Sequence, residues 1–367
     1  MPDVLTRRAL GRATLARQLL LERSDLPVTG AVAHICGLQA QTPHSWYTSL
    51  WSRLAAFDPE ETSAHLQERR LVRIAVMRGT IHLLTADDAL AWRPLLDDFI
   101  LRATRGAFGR HWKDLDLDAV AAEGRVLLEE RPLTFAALGA ALEQRFPGRN
   151  TSALGQLVRA RLPLVQVPPR GLWGRSGAVA HTTAEHWLGR PLAAEPDLPG
   201  FIRRYLAGFG PATVMDVQTH CGLTRLKEVV QGMDDLRTFT TEEGKVLYDL
   251  PDAPRPDPET PAPVRLLPDY DNVLISFADR SRTGTIGTEQ SVKAWPEHGP
   301  VPGTVLLDGT VQATWSLARA AKTSTLTITP FRPLTAAERT EIEPEAAAFL
   351  AFQAPNDAHD LRFDPPW

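Results

Sequence analysis

The stretch PATVMDVQTHCGLTRLKEVVQGM, residues 211–233, decides how the rest of the chain is read. Apolar residues recur at helical spacing on both sides of Cys221-Gly222-Leu223. Pro211 to His220 and Thr224 to Gly232 are therefore expected to form two short helices around a tight turn, the proportions of a helix-turn-helix. RTFTTEEGKVLYDL, which follows, alternates as a two-stranded wing would.

The same order of elements recurs upstream. LTRRALGRATLARQLLLER has the spacing of an amphipathic helix, AVAHICGL and PHSWYTSLWSRL read as short helices, and DPEETSAHLQERR as another, with Asp58, Pro59 and Glu60 suited to Ncap, N1 and N2. LVRIAVMRGTIHLL then alternates around Gly79 as two short strands or a hairpin would. DLDAVAAEGRVLLEERPLTFAALGAALEQRF and NTSALGQLVRARLP are helical, and LVQVPPRGLWGRSG supplies a strand, a Pro/Gly turn and a second apolar edge. No close sequence repeat accompanies this recurring order. After the Pro-rich, acidic PDAPRPDPETPAP come strand-rich segments, with Asp308-Gly309 marking a type I′ hairpin, and an acidic final helix.

The expected fold class is α+β, mainly helical: three tandem winged-helix (helix-turn-helix) units and a C-terminal β-rich, barrel-like subdomain. Boundaries are expected at 1–115, 116–195 (Arg-rich), 196–250, a linker or loop at 251–263, and 264–367.

A chain of 367 residues with 43% apolar composition buries a real core. No secretory leader is evident and Arg, Asp or Glu interrupts every apolar run, so no membrane partner and a cytoplasmic location are expected. Cys36 and Cys221, far apart and without CxxC spacing, fit a reducing compartment. The net charge of −4 hides an asymmetry: from Arg145 to Arg190 there are seven Arg and one acid, Glu185, whereas Leu334 to Trp367 holds two Arg and seven acids. Arg145, Arg149, Arg159, Arg161, Arg170 and Arg175 are the candidate phosphate contacts, with a solvated face as the alternative. His181 and His186, spaced i, i+5, do not match the HExxH zinc pattern, and neither metal nor other cofactor is expected.

GLQAQTP, residues 37–43, holds the candidate chemistry. Gln39 and Gln41 carry donors and an acceptor but do not titrate near neutrality, so they cannot act as general bases. They can orient a water. Two Gln near a helix boundary are, taken alone, more often surface or capping residues. Trp46, Arg78 and His82 are candidate lining residues, although Gly79 in a β-turn and a half-buried His82 also account for MRGTIH. Trp51, Trp92, Trp187 and Trp315 sit in apolar patterns and are expected in the core. Asp269 and Asp271 are paired carboxylates, better suited to loop capping.

GLQAQTP, MRGTIHLL, GPATVMDVQTHCGL, LPDYDNVLISFADRSR and VLLDGTVQATWSL, in that order, resemble the winged-helix-repeat DNA glycosylase superfamily. The glutamine at position 41, where another branch has Asp, makes the chain similar to the AlkZ-like branch of azinomycin-resistance, interstrand-crosslink enzymes. The resemblance implies a monofunctional glycosylase of N7-alkylated purines acting on duplex DNA, as a monomer, with Gln39 and Gln41 catalytic. It also implies a β-hairpin near the lesion, for which Asp308, Gly309 and Thr310 are candidate DNA contacts; a hairpin within the C-terminal subdomain is the alternative. A non-catalytic winged-helix transcription regulator, reading DNA through Arg225 and Lys227, is the competing function.

Overall fold

The computed structural model describes residues 3–279, 282 and 302–367. Strand β1 (Val4–Leu5) leads into helices α1 (Arg7–Arg17) and α2 (Val28–His34), strand β2 (Leu38–Gln39), and helices α3 (Ser45–Trp51) and α4 (Pro59–Gln67). Strands β3 (Leu71–Ala75) and β4 (Ile81–Thr85) pair antiparallel around a tight Met77–Gly79 turn. The long α5 (Ala86–Phe108) precedes α6 (Leu117–Glu130), β5 (Leu133–Thr134), α7 (Phe135–Arg145), α8 (Thr151–Arg161), β6 (Leu164–Gln166), β7 (Ala180–Thr183) and α9 (Ala184–Leu188). Next come α10 (Leu198–Phe209), α11 (Val214–Cys221), α12 (Lys227–Gln231) and the antiparallel strands β8 (Arg237–Thr241) and β9 (Val246–Asp249). The chain continues through β10 (Arg265–Leu267), α13 (Asn272–Ile275), β11 (Gly303–Leu307), β12 (Thr310–Ala320), β13 (Thr323–Pro330), α14 (Ala336–Gln353) and β14 (Ala358–Phe363). The architecture is α+β and mainly helical.

Local chemistry sets several ends. Asp58 accepts from the Glu60 amide at 2.9 Å with Pro59 in the first turn of α4, as expected. Thr213 and Asp216 cap α11 reciprocally. Gly222 ends α11 at φ 84°, and a Cβ there would lie 2.4 Å from the Phe99 ring, so position 222 needs glycine for both conformation and space. The second helix of the pair is shorter than its sequence suggests. Arg225 is also left-handed, at φ 62°, and the Leu226 amide donates to Gln218 Oε1 at 3.0 Å, so Thr224 to Leu226 belong to the turn.

Three sheets organise the strands. The six-stranded sheet has the order β2-β4-β3-β6-β7-β5 and so combines strands from residues 38–85 with strands from 133–183. β1 adds in parallel to the β8-β9 hairpin. The buried Arg17–Asp249 pair, with contacts of 2.6 and 2.8 Å and neither side chain exposed, ties α1 to β9.

The C-terminal strands form a five-stranded sheet, β10-β11-β12-β13-β14, and the barrel expectation is corrected here. Among the described residues β10 and β14 do not pair, and the sheet stays open. Alternation along the strands specifies one apolar face but not how it is covered. Ile342, Ala346, Phe349 and Leu350 of α14 pack with Leu266, Val305, Leu326 and Ile328, so a helix covers the face that closure would otherwise bury. The end of the LPDYDNVLISFADRSR stretch, Arg280 and Ser281, lies outside the described residues.

Candidate active site

The Gln39-Ala40-Gln41 segment sits at the edge of the six-stranded sheet. Cys36 and Gly37, both left-handed at φ 58° and 77°, turn the chain out of α2. A Cβ on Gly37 would lie 2.3 Å from Leu84 and 2.9 Å from the Leu83 carbonyl, so glycine lets β2 approach β4. Gln39 pairs with His82 in the ladder. The Ala40 amide donates to the Ile81 carbonyl at 2.7 Å, and the Ala40 carbonyl accepts from Arg73 Nη2 at 3.1 Å. Arg73 lies buried over the Trp46 ring, 4.5 Å from its centroid, and burial lowers its pKa to about 10. Ala40 is buried, Gln39 half-buried and Gln41 exposed, as strand alternation requires.

Arg78 organises the polar side. Held at φ 55° in the Met77–Gly79 turn, its guanidinium donates to Gln39 Oε1 at 3.2 Å and to the His220 carbonyl at 3.0 Å, and meets His82 Nε2 at 3.2 Å. A guanidinium has no acceptor, so His82 Nε2 accepts, and the ring proton is on Nδ1, 3.1 Å from the Thr80 carbonyl. Burial, reinforced by the Arg78 charge, pushes the His82 pKa down to about 3 and keeps the ring neutral. The Ile81 amide donates to Gln41 Oε1 at 3.2 Å. Both glutamines thus meet donor-only partners through their carbonyl oxygens, which fixes the amide orientation. Among the described residues neither NH2 group has a hydrogen-bond partner, which leaves both for a ligand.

Three residues that sequence reasoning did not place in the site brace it. His220, at the end of α11, is fully buried, receives Arg78 through its carbonyl and lies 3.0 Å from Ser276 Oγ through Nδ1. Asn272 donates to the Gly37 carbonyl at 2.6 Å, just before β2. Arg73 is the third. The sequence signal for Asn272 was LPDYDN itself, whose Asp271 is a buried bidentate partner of Arg53 at 2.9 and 2.7 Å and caps α13. Its Asp269 is half-buried, and burial raises its pKa although the nearby Thr42 side chain acts to lower it.

Other sequence candidates separate from this cluster. Trp46 is fully buried in the core formed by α2, α3 and β4, so its assignment to the site lining is corrected: no face is free to stack on a base. Arg159 turns inward, donating to the Gly79 carbonyl at 2.9 Å, and so supports the Arg78 turn rather than facing a phosphate. Arg149 donates to the Lys113 and Asp114 carbonyls, Arg161 pairs with Asp118, and Arg170 donates to the Gly177 carbonyl at 3.2 Å. Arg175 is exposed. The Asp308-Gly309 turn has the expected left-handed pair, φ 43° and 77°, and packs against α1. The Asp308 carboxylate takes Arg8 at 2.7 Å and also Arg12, while a Cβ on Gly309 would lie 2.6 Å from both Arg12 and Leu15. The tip is therefore seated on α1, with the Asp308 carboxylate still exposed. Among the described residues no group of three or more His, Cys, Asp or Glu is arranged to hold a metal.

The chain belongs to the family of AlkZ-like DNA glycosylases, whose model matches residues 32–352, and it is an enzyme of that class. It is 26% identical over 361 residues to an interstrand DNA cross-link repair glycosylase of Streptomyces sahachiroi, covering 91% of this chain and 92% of that protein. The solved structure of Streptomyces sahachiroi DNA glycosylase AlkZ has the same fold, with a TM-score of 0.75 at 21% identity over 98% of this chain and 100% of that one.

Proposed function

We propose that the enzyme hydrolyses the N-glycosidic bond of N7-alkylated purines in duplex DNA and unhooks azinomycin-type interstrand crosslinks, acting as a cytoplasmic monomer. The observation that carries the reading is the orientation of Gln39 and Gln41, whose carbonyls are held by Arg78 and the Ile81 amide. Two oriented neutral amides suit a substrate that supplies its own leaving group. Alkylation at N7 makes guanine cationic, so it departs without an acid, and the remaining task is to place a water at C1′. Unmodified purines, which need protonation, are spared.

The helix-turn-helix of α11 and α12 with its β8-β9 hairpin, and the earlier helices with β3-β4 and β6-β7, support a reading as three winged-helix units divided near residues 115, 195 and 250. Arg175, Arg170 and Arg161 are the proposed phosphate contacts of the second unit. A regulator role is less favoured: α12 has only five residues, and Arg225 lies in the turn before it.

The test is excision from a duplex with one N7-methylguanine and, in parallel, from one with an azinomycin-type crosslink, followed by alkaline cleavage of abasic sites. Gln39→Ala and Gln41→Ala should each slow excision roughly 30 to 1,000-fold, from ~2 to 4 kcal/mol of lost transition-state stabilisation, with DNA binding retained. Wild-type rates in the double variant would remove the pair from the mechanism. No strand cleavage by the wild type on either duplex would remove the substrate assignment.

A further inference from the structure

We propose that Arg73 is a positioning residue of this hydrolysis: it draws the Ala40 carbonyl out of the β2-β4 ladder and so frees the Ile81 amide to hold Gln41. The inference rests on the glycosylase reading above and concerns how one of its two amides is oriented. β2 and β4 pair antiparallel with Leu38 opposite Leu83 and Gln39 opposite His82, so Ala40 falls opposite Ile81. Hydrogen-bonded pairs of such a ladder exchange two bonds, amide to carbonyl in both directions. Only one is made at this pair. The Ala40 amide donates to the Ile81 carbonyl at 2.7 Å, but the return bond is missing among the described residues: the Ala40 carbonyl accepts from Arg73 Nη2 at 3.1 Å, and the Ile81 amide donates to Gln41 Oε1 at 3.2 Å.

Arg73 is committed to that one contact. β3 lies two strands from β2 in the sheet, a span of about 10 Å at ordinary strand spacing, which takes a side chain as long as arginine's. Its guanidinium is kept on course by the Trp46 ring, 4.5 Å from Cζ to the centroid, and by Gly171, where a Cβ would lie 2.9 Å from Nη1. Arg73 is buried, and its Nε and Nη1 have no hydrogen-bond partner among the described residues. The other buried arginines, Arg12, Arg17, Arg53, Arg93 and Arg265, each lie against a carboxylate; among the described residues Arg73 pairs with none. A guanidinium buried with two of its nitrogens unmet is a cost to the fold, and the one hydrogen bond it makes goes to the peptide between the two glutamines.

The arrangement exchanges stability for orientation. Without the Arg73 donor the Ala40 carbonyl returns to the Ile81 amide, the ladder gains its second bond, and Gln41 Oε1 is left with no donor, so its amide is free to turn over. Gln39 keeps Arg78. Arg73, being buried, is out of reach of the DNA and acts on the reaction through the Ala40 peptide and the Ile81 amide.

Arg73→Met keeps an unbranched apolar stem and removes the donor. Single-turnover excision of N7-methylguanine should fall about 3- to 10-fold, the worth of one neutral hydrogen bond, with DNA affinity unchanged and the melting temperature held or raised. In the Gln41→Ala background the same substitution should add nothing. Hydrogen exchange at the Ile81 amide, followed by NMR in protein carrying isotopically labelled isoleucine, reads the switch directly. Gln41→Ala alone should speed exchange at Ile81, because Arg73 still holds the alternative acceptor; combined with Arg73→Met it should leave exchange slow. The first comparison needs no Arg73 variant, so it decides the matter even if Arg73→Met does not fold. Unchanged Ile81 exchange in Gln41→Ala overturns the proposal, as does an Arg73→Met loss as large in the Gln41→Ala background as in the wild type. A wild type that excises nothing refutes the glycosylase reading instead, and the exchange result still decides what holds the Ile81 amide.

Discussion

Replacing Arg78 with alanine tests whether the site is organised as described. Its guanidinium is the donor that turns the Gln39 carbonyl inward, and a hydrogen bond to a charged group is worth ~1.5 to 3 kcal/mol. If that orientation is used in full at the transition state, excision should slow roughly 10 to 150-fold. Arg78 also serves the His220 carbonyl and His82 Nε2, so some stability is lost, and the melting temperature must be measured alongside. The decisive assay is a double-mutant cycle of Arg78→Ala with Gln39→Ala, read by single-turnover excision of N7-methylguanine with enzyme in excess. If Arg78 acts through Gln39, the second substitution adds little to the first, and the coupling approaches the full effect of Arg78→Ala. Additive losses would mean that Arg78 contributes on its own, and the orienting role would be refuted.

Three further outcomes are expected. Burial holds His82 at about 3 and His181 at about 4, so both are neutral in the fold and take up protons on unfolding; their stabilisation is whole above pH 6.5 and lost below it. Each should cost about 2 kcal/mol by pH 5, and urea unfolding that is flat between pH 7.5 and 5 would contradict this. Asp308→Ala, with an exposed carboxylate, should cost about 1 kcal/mol and leave crosslink and monoadduct excision equal to wild type per folded molecule; a loss confined to the crosslink would return the hairpin tip to the DNA. Gly222→Ala, which forces a Cβ into Phe99 at φ 84°, should destabilise by about 2 to 4 kcal/mol in denaturant titration.

What was legible in the sequence was local. The α4 cap, the Gly222 turn, the β8-β9 hairpin and the Met77–Gly79 turn follow from spacing, from capping residues and from glycine, and each is found. The glutamine segment was visible as chemistry but not as geometry, because its orienting donors come from residues 39 and 40 positions away. Contacts at longer range were hidden. Arg159 resembles any surface arginine until Gly79, 80 residues earlier, takes it inward, and Asp308 resembles a free hairpin tip until Arg12, 296 residues earlier, meets it. Open and closed sheets share the same alternation, so only the placement of α14 distinguishes them.

The bond from Asn272 to Gly37 spans 235 residues and therefore imposes an order in time. At ribosomal speeds of about 5 to 20 residues per second, the glutamine strand waits roughly 10 to 50 seconds after emergence for the loop that braces it. During that interval a nascent chain carries both amides but lacks Asn272 and the Arg53–Asp271 lock. A translation product that stops before β10 is left in this unbraced condition until the C-terminal part of the molecule closes back on the first.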